Sequence, residues 1–136
     1  MCGEREMIIY GHRFIPSDSF YHVSDIDSIS NTPASSTIHI EFNEENLDII
    51  THANLNQIRT SICAKNIRDI MYASALEASF IVVHKELAKD AKNIADEYIF
   101  DAKILVLIEE EDEIEELALI GVDGVIFSNA IIKINS

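Results

Sequence analysis

The sequence predicts one α/β domain with a mostly parallel sheet, and three observations support this prediction. Short runs rich in Ile and Val, such as Phe80–Val83 and Ile104–Ile108, recur along the chain and are typical of buried strands. Segments with apolar residues at helical spacing lie between these runs. The strand centres lie roughly 20 to 24 residues apart, which is the length of one β–α unit. Alternating units of this kind imply parallel strands.

From Thr37 the alternation of strands and helices is regular. The predicted strands are Ile38–Phe42, Gln57–Cys63, Phe80–Val83, Ile104–Ile108 and Val125–Phe127, with Ile131–Ile134 trailing behind. Asn43, Asn66 and Asp112 stand where a side chain can cap the start of a helix, and a further helix is predicted from about Glu86 to Tyr98. Gly121 occupies the position of a left-handed C-terminal cap. We therefore expect a five-stranded sheet.

The first 36 residues differ from the rest. Met7–Phe14 and Phe20–Val23 are predicted to be extended segments joined by a turn. We expect a β-hairpin-like arm over residues 1–36, followed by a βα-repeat domain over residues 37–136. Apolar side chains of this arm would be costly to leave in water, so we expect them to pack on the domain or on a partner chain. The aromatic ones are Tyr10, Phe14, Phe20 and Tyr21.

Composition bears on the partners. The chain has 10 Lys and Arg against 24 Asp and Glu, a formal net charge of −14. Such a surface repels phosphate backbones and anionic lipids, so neither nucleic acid nor a membrane is an expected partner. The two cysteines, Cys2 and Cys63, are too few for a disulfide scaffold, and Cys63 is expected to be a small buried hydrophobe. With no signal peptide predicted, we expect a cytoplasmic protein.

The segment Gly121–Lys133, GVDGVIFSNAIIK, resembles the last β–α unit of the phosphate-binding TIM barrels. The resemblance implies a backbone turn that holds a substrate phosphate after the strand. Ser128 and Asn129 stand where that family has its glycine. Glu109–Asp112 stands where the preceding unit of the family has a glycine-rich turn, and carboxylates repel phosphate.

The same hundred residues also resemble a receiver domain, which has five β–α units in about this length. That resemblance implies an acidic pair after the first strand, here approximated by Glu41 and Glu44, and a phosphoacceptor aspartate after the third, where this chain has His84. Phosphoryl transfer is therefore not expected. From the two resemblances together we expect an open, doubly wound sheet of the flavodoxin-like type, with a half TIM barrel as the alternative.

Ligands of parallel sheets bind at the carboxyl ends of the strands. The residues predicted there as ligand-binding candidates are Lys65, His84, Lys85, Glu109, Ser128 and Asn129. No catalytic residue, metal site or cofactor is assigned. His84 lacks a second histidine at metal-site spacing, and the acids of Glu109–Glu116 can serve the dipole of a helix start. His39 alternates with Ile38 and Ile40, so it is expected to face away from them.

The sequence favours a non-catalytic binding or protein-interaction domain, acting as a homodimer or on a protein partner through the N-terminal arm. The alternative is an enzyme, or an enzyme remnant, that binds a small phosphorylated or anionic metabolite at the carboxyl ends of the strands. A third hypothesis is a degenerate receiver that signals without phosphorylation. The absence of a glycine-rich strand-to-helix loop argues against the Rossmann and P-loop nucleotide sites.

Overall fold

The computed structural model describes residues 6–134, and within that range the chain forms eight strands and four α-helices. The strands are β1 (Ile8–Tyr10), β2 (Phe20–His22), β3 (Thr37–Glu41), β4 (Thr60–Cys63), β5 (Phe80–Val83), β6 (Lys103–Ile108), β7 (Gly124–Phe127) and β8 (Ile131–Lys133). The helices are α1 (Leu47–Leu55), α2 (Ile67–Ala75), α3 (Ala88–Glu97) and α4 (Glu113–Ile120). Single 3₁₀ turns precede α1 and α3 and connect β7 to β8.

All eight strands are parallel and belong to one sheet, in the order β1-β7-β6-β5-β4-β3-β2-β8. The predicted α/β class and parallel sheet are confirmed, whereas the count of five strands was wrong. The predicted N-terminal hairpin was also wrong, because β1 pairs with β7, and β2 lies between β3 and β8. These strands have three residues each, too few for a periodic pattern, and β1 finds its partner at the far end of the chain.

The sheet is curled into a half-barrel. From β3 to β7 each strand lies beside the next one in sequence, and the helices that connect these strands pack on one face of the sheet. The flavodoxin-like open sheet was predicted in preference to the half TIM barrel, and this prediction was wrong. A flavodoxin-like sheet has helices on both faces, whereas here they cover one face only. Tyr10 and Phe20, on strands near opposite edges, have ring centroids 4.9 Å apart. The curl therefore brings the two edges together.

The larger core lies between the helices and the convex face of the sheet. It includes Ile40, Ile62 and Val106 from the strands and Ile70 and Leu117 from the helices, all with no exposed surface. The alternate residues of each strand face the concave side. The smaller cluster on that side consists of Phe20, Val82, Leu105, Ile126 and Ala130, and none of the four α-helices contributes to it.

The helix ends follow local signals. Asn43 and Asn66 cap as predicted, since their side chains accept hydrogen bonds from the amides of Asn46 and Asp69. Asp112 makes no such bond at the start of α4. Gly121 ends α4 in the left-handed region at φ 91°, as predicted. Within residues 6–134, no helix is both long and apolar enough to cross a membrane.

The aromatic residues of the predicted arm separate into two environments. Phe20 is 1% exposed, and Tyr10 contacts both Phe20 and Phe80 inside the curl, at centroid distances of 4.9 and 5.9 Å. Phe14 is 72% exposed and lies in the loop between β1 and β2. The arm therefore contributes part of the interior and one exposed aromatic ring.

Candidate functional site

Polar side chains meet on the concave face where β2, β3 and β4 approach their carboxyl ends. Parallel register places His22 beside His39 and His39 beside Ser61, and it places Glu41 beside Cys63. Paired residues of neighbouring strands point to the same face of a sheet. We call these five residues the polar cluster.

His39 is the most connected member of the polar cluster. Its ring is 3% exposed, and its Nδ1 lies 3.0 Å from Ser61 Oγ. Its Nε2 lies 3.9 Å from Glu41 Oε2. The ring of His22 stands almost perpendicular to it, with centroids 5.5 Å apart. One imidazole therefore bridges a buried hydroxyl and a half-buried carboxylate.

Burial sets the protonation of the polar cluster. It lowers the pKa of His39 to about 4, and the neighbouring His22 adds to the effect. It also lowers the pKa of His22, against an opposing effect of Glu41. The pKa of Cys63 is raised to about 12, first by burial and then by the carboxylate of Glu41, to which the thiol hydrogen-bonds. At neutral pH the two imidazoles are therefore neutral and Cys63 is a thiol.

Three members of the polar cluster could hold a metal ion. One ligand atom each from His39, Glu41 and Cys63 lies within 4.8 Å of the other two. Nitrogen, oxygen and sulfur donors of these types are the ones that transition metals take in proteins. His39 and Cys63 are buried and Glu41 is half-buried, so the group opens toward solvent through its carboxylate.

Lys65 is the candidate predicted from sequence that lies beside the polar cluster. Its Nζ is 3.9 Å from Glu41 Oε1, and its side chain is 68% exposed. Lys85 lies elsewhere, with Nζ 3.7 Å from Glu113 Oε1. His84 is exposed at the end of β5, and its side chain does not cap the 3₁₀ turn that follows.

The other three candidates lie together beyond β6 and β7. Ser128 Oγ donates to Glu109 Oε1 at 2.7 Å. Asn129 Nδ2 donates to the carbonyl of Gly11 at 3.0 Å and so ties the end of β1 to the β7–β8 connection. The hydroxyl and amide donors of this pair are therefore already engaged, one of them by a carboxylate.

A groove of about 670 Å³ lies at the opposite, amino end of the strands, lined by residues that include Ile29, Pro33, Ser36, Ile58 and Arg59. Arg59 is its single ionisable residue, and its guanidinium donates to the carbonyl of Ser35 at 2.7 Å. This groove brings no reactive groups together. The polar cluster, by contrast, brings together two imidazoles, a hydroxyl, a thiol and a carboxyl group.

The sequence indicated part of the polar cluster. The alternation in β3 predicted that His39 faces away from Ile38 and Ile40, and this is confirmed because those residues belong to the convex-side core. Cys63 is buried as predicted, at 5% exposure. His22 and Ser61 were missed as site residues, and Glu41 was placed at a strand end but not joined to His39, because these residues meet only through the pairing of β2, β3 and β4.

A curled parallel α/β sheet is a scaffold that serves many functions, so the fold alone assigns none. The architecture is consistent with a generic βα-unit protein. Protein-family models and curated proteins were both compared with the chain, and neither gave a match.

Proposed function

We propose that this protein is a binding domain that takes a small polar ligand or ion on the polar cluster, at the carboxyl ends of β2, β3 and β4. One observation supports this most strongly. His39, Ser61 and Cys63 are 3%, 0% and 5% exposed, whereas the other buried residues of the concave face are apolar apart from Thr37. Burying a polar group costs free energy unless it finds a hydrogen-bond partner, a requirement that apolar residues do not impose on packing. Buried polar groups that converge near an opening are typical of a binding site.

The surroundings of the polar cluster suit a ligand that arrives from solvent. The side chain of Glu41 is 37% exposed and that of Lys65 is 68% exposed. Lys133 of β8 is level with His22 in the sheet and is exposed. A ligand reaching His39 would therefore pass one carboxylate and two ammonium groups.

This position for the ligand differs from the one that the resemblance to phosphate-binding barrels implies. At Ser128 and Asn129 a phosphate would compete with Glu109 for the hydroxyl of Ser128. It would also meet the carboxylates of Glu110 and Glu111 nearby in sequence. If the ligand is anionic, Lys65 and Lys133 favour the polar cluster over the β7–β8 connection.

Thermal unfolding against a ligand panel tests the proposal. The panel holds phosphorylated metabolites, nucleotides, small carboxylates and divalent cations, and the proteins are the wild type, Glu41→Gln and Glu45→Gln. Glu45 is an exposed acid on the 3₁₀ turn before α1 and serves as the matched control. A ligand at one hundred times its Kd stabilises by about 2.7 kcal/mol, which raises Tm by several degrees.

We expect at least one class of ligand to raise the Tm of the wild type and of Glu45→Gln, and to leave that of Glu41→Gln nearly unchanged. A panel without any shift would contradict the proposal. So would a shift that Glu41→Gln retains in full, because the ligand would then bind elsewhere.

A second candidate function is self-association through the loop between β1 and β2. It is favoured by Phe14, which is 72% exposed although Arg13 stacks on its ring at 4.6 Å and its own amide donates to His12 Nδ1. A second copy of the chain would cover this ring. Sedimentation velocity of the wild type, Phe14→Ser and Leu55→Ser tests it, with Leu55 as an equally exposed control at 78%. A dimer that only Phe14→Ser dissociates supports the idea, and a monomeric wild type contradicts it.

A further inference from the structure

We propose that the polar cluster is a site for a thiophilic divalent metal ion of the Zn²⁺ class, with His39, Glu41 and Cys63 as its protein ligands. The inference rests on the proposed function, because it names the ligand of that site. Its basis is the convergence of a nitrogen, an oxygen and a sulfur donor within 4.8 Å of one another. His39 and Cys63 are almost wholly buried, so their proximity is fixed by the folded strands rather than by mobile surface side chains.

The donor set selects the metal. Mg²⁺ and Ca²⁺ take oxygen ligands almost exclusively, whereas Zn²⁺ and its neighbours bind thiolate, imidazole and carboxylate together. Tetrahedral coordination at Zn²⁺ bond lengths separates neighbouring ligand atoms by roughly 3.3–3.8 Å. The atoms of His39, Glu41 and Cys63 therefore need to move by about 1 Å toward a common centre, which side-chain rotation supplies.

The sheet fixes two of the three ligands against each other. Glu41 and Cys63 are direct partners in the register between β3 and β4, and His39 lies two residues before Glu41 on the same face. Ladder hydrogen bonds hold both strands, so the ligands come from rigid elements rather than from loops. A site of this construction needs little ordering when the ion binds.

Ser61 acts as a positioning residue for His39. In the tautomer in which Nδ1–H donates to Ser61 Oγ, at 3.0 Å, the lone pair of Nε2 is directed to the Glu41 side. Metal-ligating histidines commonly donate their second ring nitrogen to such a partner, which fixes the ring for coordination. Ser61 has no exposed surface, so water does not compete for this bond.

Binding requires one proton to leave and one ion pair to open. The thiol of Cys63 becomes a thiolate as the metal–sulfur bond forms, and its proton passes to solvent, so no oxidant or reductant is involved. The carboxylate of Glu41 leaves its ion pair with Lys65 and binds the metal instead. The side chain of Lys65 is already 68% exposed, so its ammonium group is then solvated by water. An exposed ion pair contributes little, so its loss opposes binding only weakly. With three protein ligands, a fourth position is open to water or to a small molecule.

Cobalt titration of the full-length protein tests the proposal. A Co²⁺–thiolate bond gives a near-ultraviolet charge-transfer band, which Zn²⁺ should then abolish by displacement. We expect one equivalent of Co²⁺ to generate the band in the wild type. The control variant Cys2→Ser, which retains Cys63, should give the same band. The band should be absent from Cys63→Ser. Circular dichroism confirms that each variant is folded.

Three further variants separate ligation from positioning. We expect Glu41→Gln to weaken Zn²⁺ binding while keeping the thiolate band at high Co²⁺. Ser61→Ala should weaken affinity by about 10- to 100-fold, and Ser61→Thr, which restores a hydroxyl, should recover most of it. Equal affinity of Ser61→Ala and the wild type would overturn the role of Ser61.

The results distinguish failure of the metal site from failure of the binding function. A band that persists in Cys63→Ser, or no band and no Zn²⁺-induced rise in Tm, overturns the metal site. If an organic ligand of the panel still stabilises the wild type but not Glu41→Gln, the binding function stands without the metal. If neither metal nor organic ligand binds, both proposals fail.

Discussion

The concave face of the sheet has two halves that are chemically opposite although each contains fully buried residues. On one half, Leu105 and Ile126 pack against Phe20 and have no exposed surface. On the other, Ser61 is equally inaccessible but binds His39 through a hydrogen bond. Packing alone would place apolar residues on both halves. The apolar half is thus explained by stability, whereas the polar half needs a functional reason.

Truncation in the apolar half should destabilise the protein most. Leu105→Ala removes a fully buried side chain, and we expect a loss of about 3 kcal/mol in the free energy of unfolding because a cavity is left. Urea unfolding measures it. Leu55→Ala, at a position that is 78% exposed, should change stability by no more than about 0.5 kcal/mol. Equal losses in the two variants would mean that the concave side is not packed.

In the polar half, the expected change in the free energy of unfolding depends on whether one or both of His39 and Ser61 are replaced. Ser61→Ala leaves His39 Nδ1 without its partner at 3.0 Å and should cost about 1–2 kcal/mol. Adding His39→Leu removes the unpaired group, so the double variant should be more stable than Ser61→Ala alone. Urea unfolding of the complete mutant cycle provides the measurement. A double variant whose loss equals the sum of the single losses would show that this half is packed like its counterpart.

The contact between the two edges of the sheet should contribute less. Gly11 has φ +93°, and a Cβ added there would lie 3.0 Å from Ala130 Cβ. We therefore expect Gly11→Ala to cost about 1 kcal/mol, from the left-handed backbone and the close approach together. Thermal unfolding is sufficient to detect it. A variant as stable as the wild type would indicate that the edges separate without loss.

The start of α4 should give the smallest effect, and one that depends on pH. The carboxylate of Glu113 accepts hydrogen bonds from the amides of Glu110 and Glu109, and these lower its pKa below the usual 4.5. A lowered pKa in the folded state stabilises above the unfolded pKa, and this contribution is lost as pH falls through the folded pKa.

Calorimetry of the wild type and Glu113→Gln measures this contribution. We expect the wild type to have the higher Tm at pH 7 and the difference to disappear in acid, below the folded pKa. Glu115→Gln, at an exposed position of the same helix, should follow the wild type at every pH. A Tm difference that grows in acid would contradict the assignment of these hydrogen bonds.

The parts of the fold that the sequence predicted are those with local signals. The runs Phe80–Val83 and Ile104–Ile108 mark strands by composition, and Asn66 and Gly121 mark helix ends by side-chain and backbone chemistry. The run Ile131–Ile134 indicated the position of β8, but nothing near it in sequence predicts its pairing with β2.

The polar cluster was out of reach for a related reason. The alternation of β3 indicated the face to which His39 points, but neither its burial nor its partner. Ser61 and Cys63 lie more than twenty residues further along the chain, and only the register between β3 and β4 brings them to His39 and Glu41. Lys65 could be predicted because it follows a recognisable strand end, at which ligands of parallel sheets are expected.

The pairing of β1 with β7 has a consequence for the order in which the protein folds. Ile8 is bonded into the sheet beside Gly124, more than a hundred residues later in the chain. During synthesis the strands β3 to β7 can add to one another as they emerge, each beside its predecessor, whereas β1 leaves the ribosome first and finds its neighbour only when β7 has been made. Closing so long a loop is slow compared with adding a neighbouring unit. Of the eight strands described, β1 is therefore synthesised before the others and is among the last to be incorporated into the sheet.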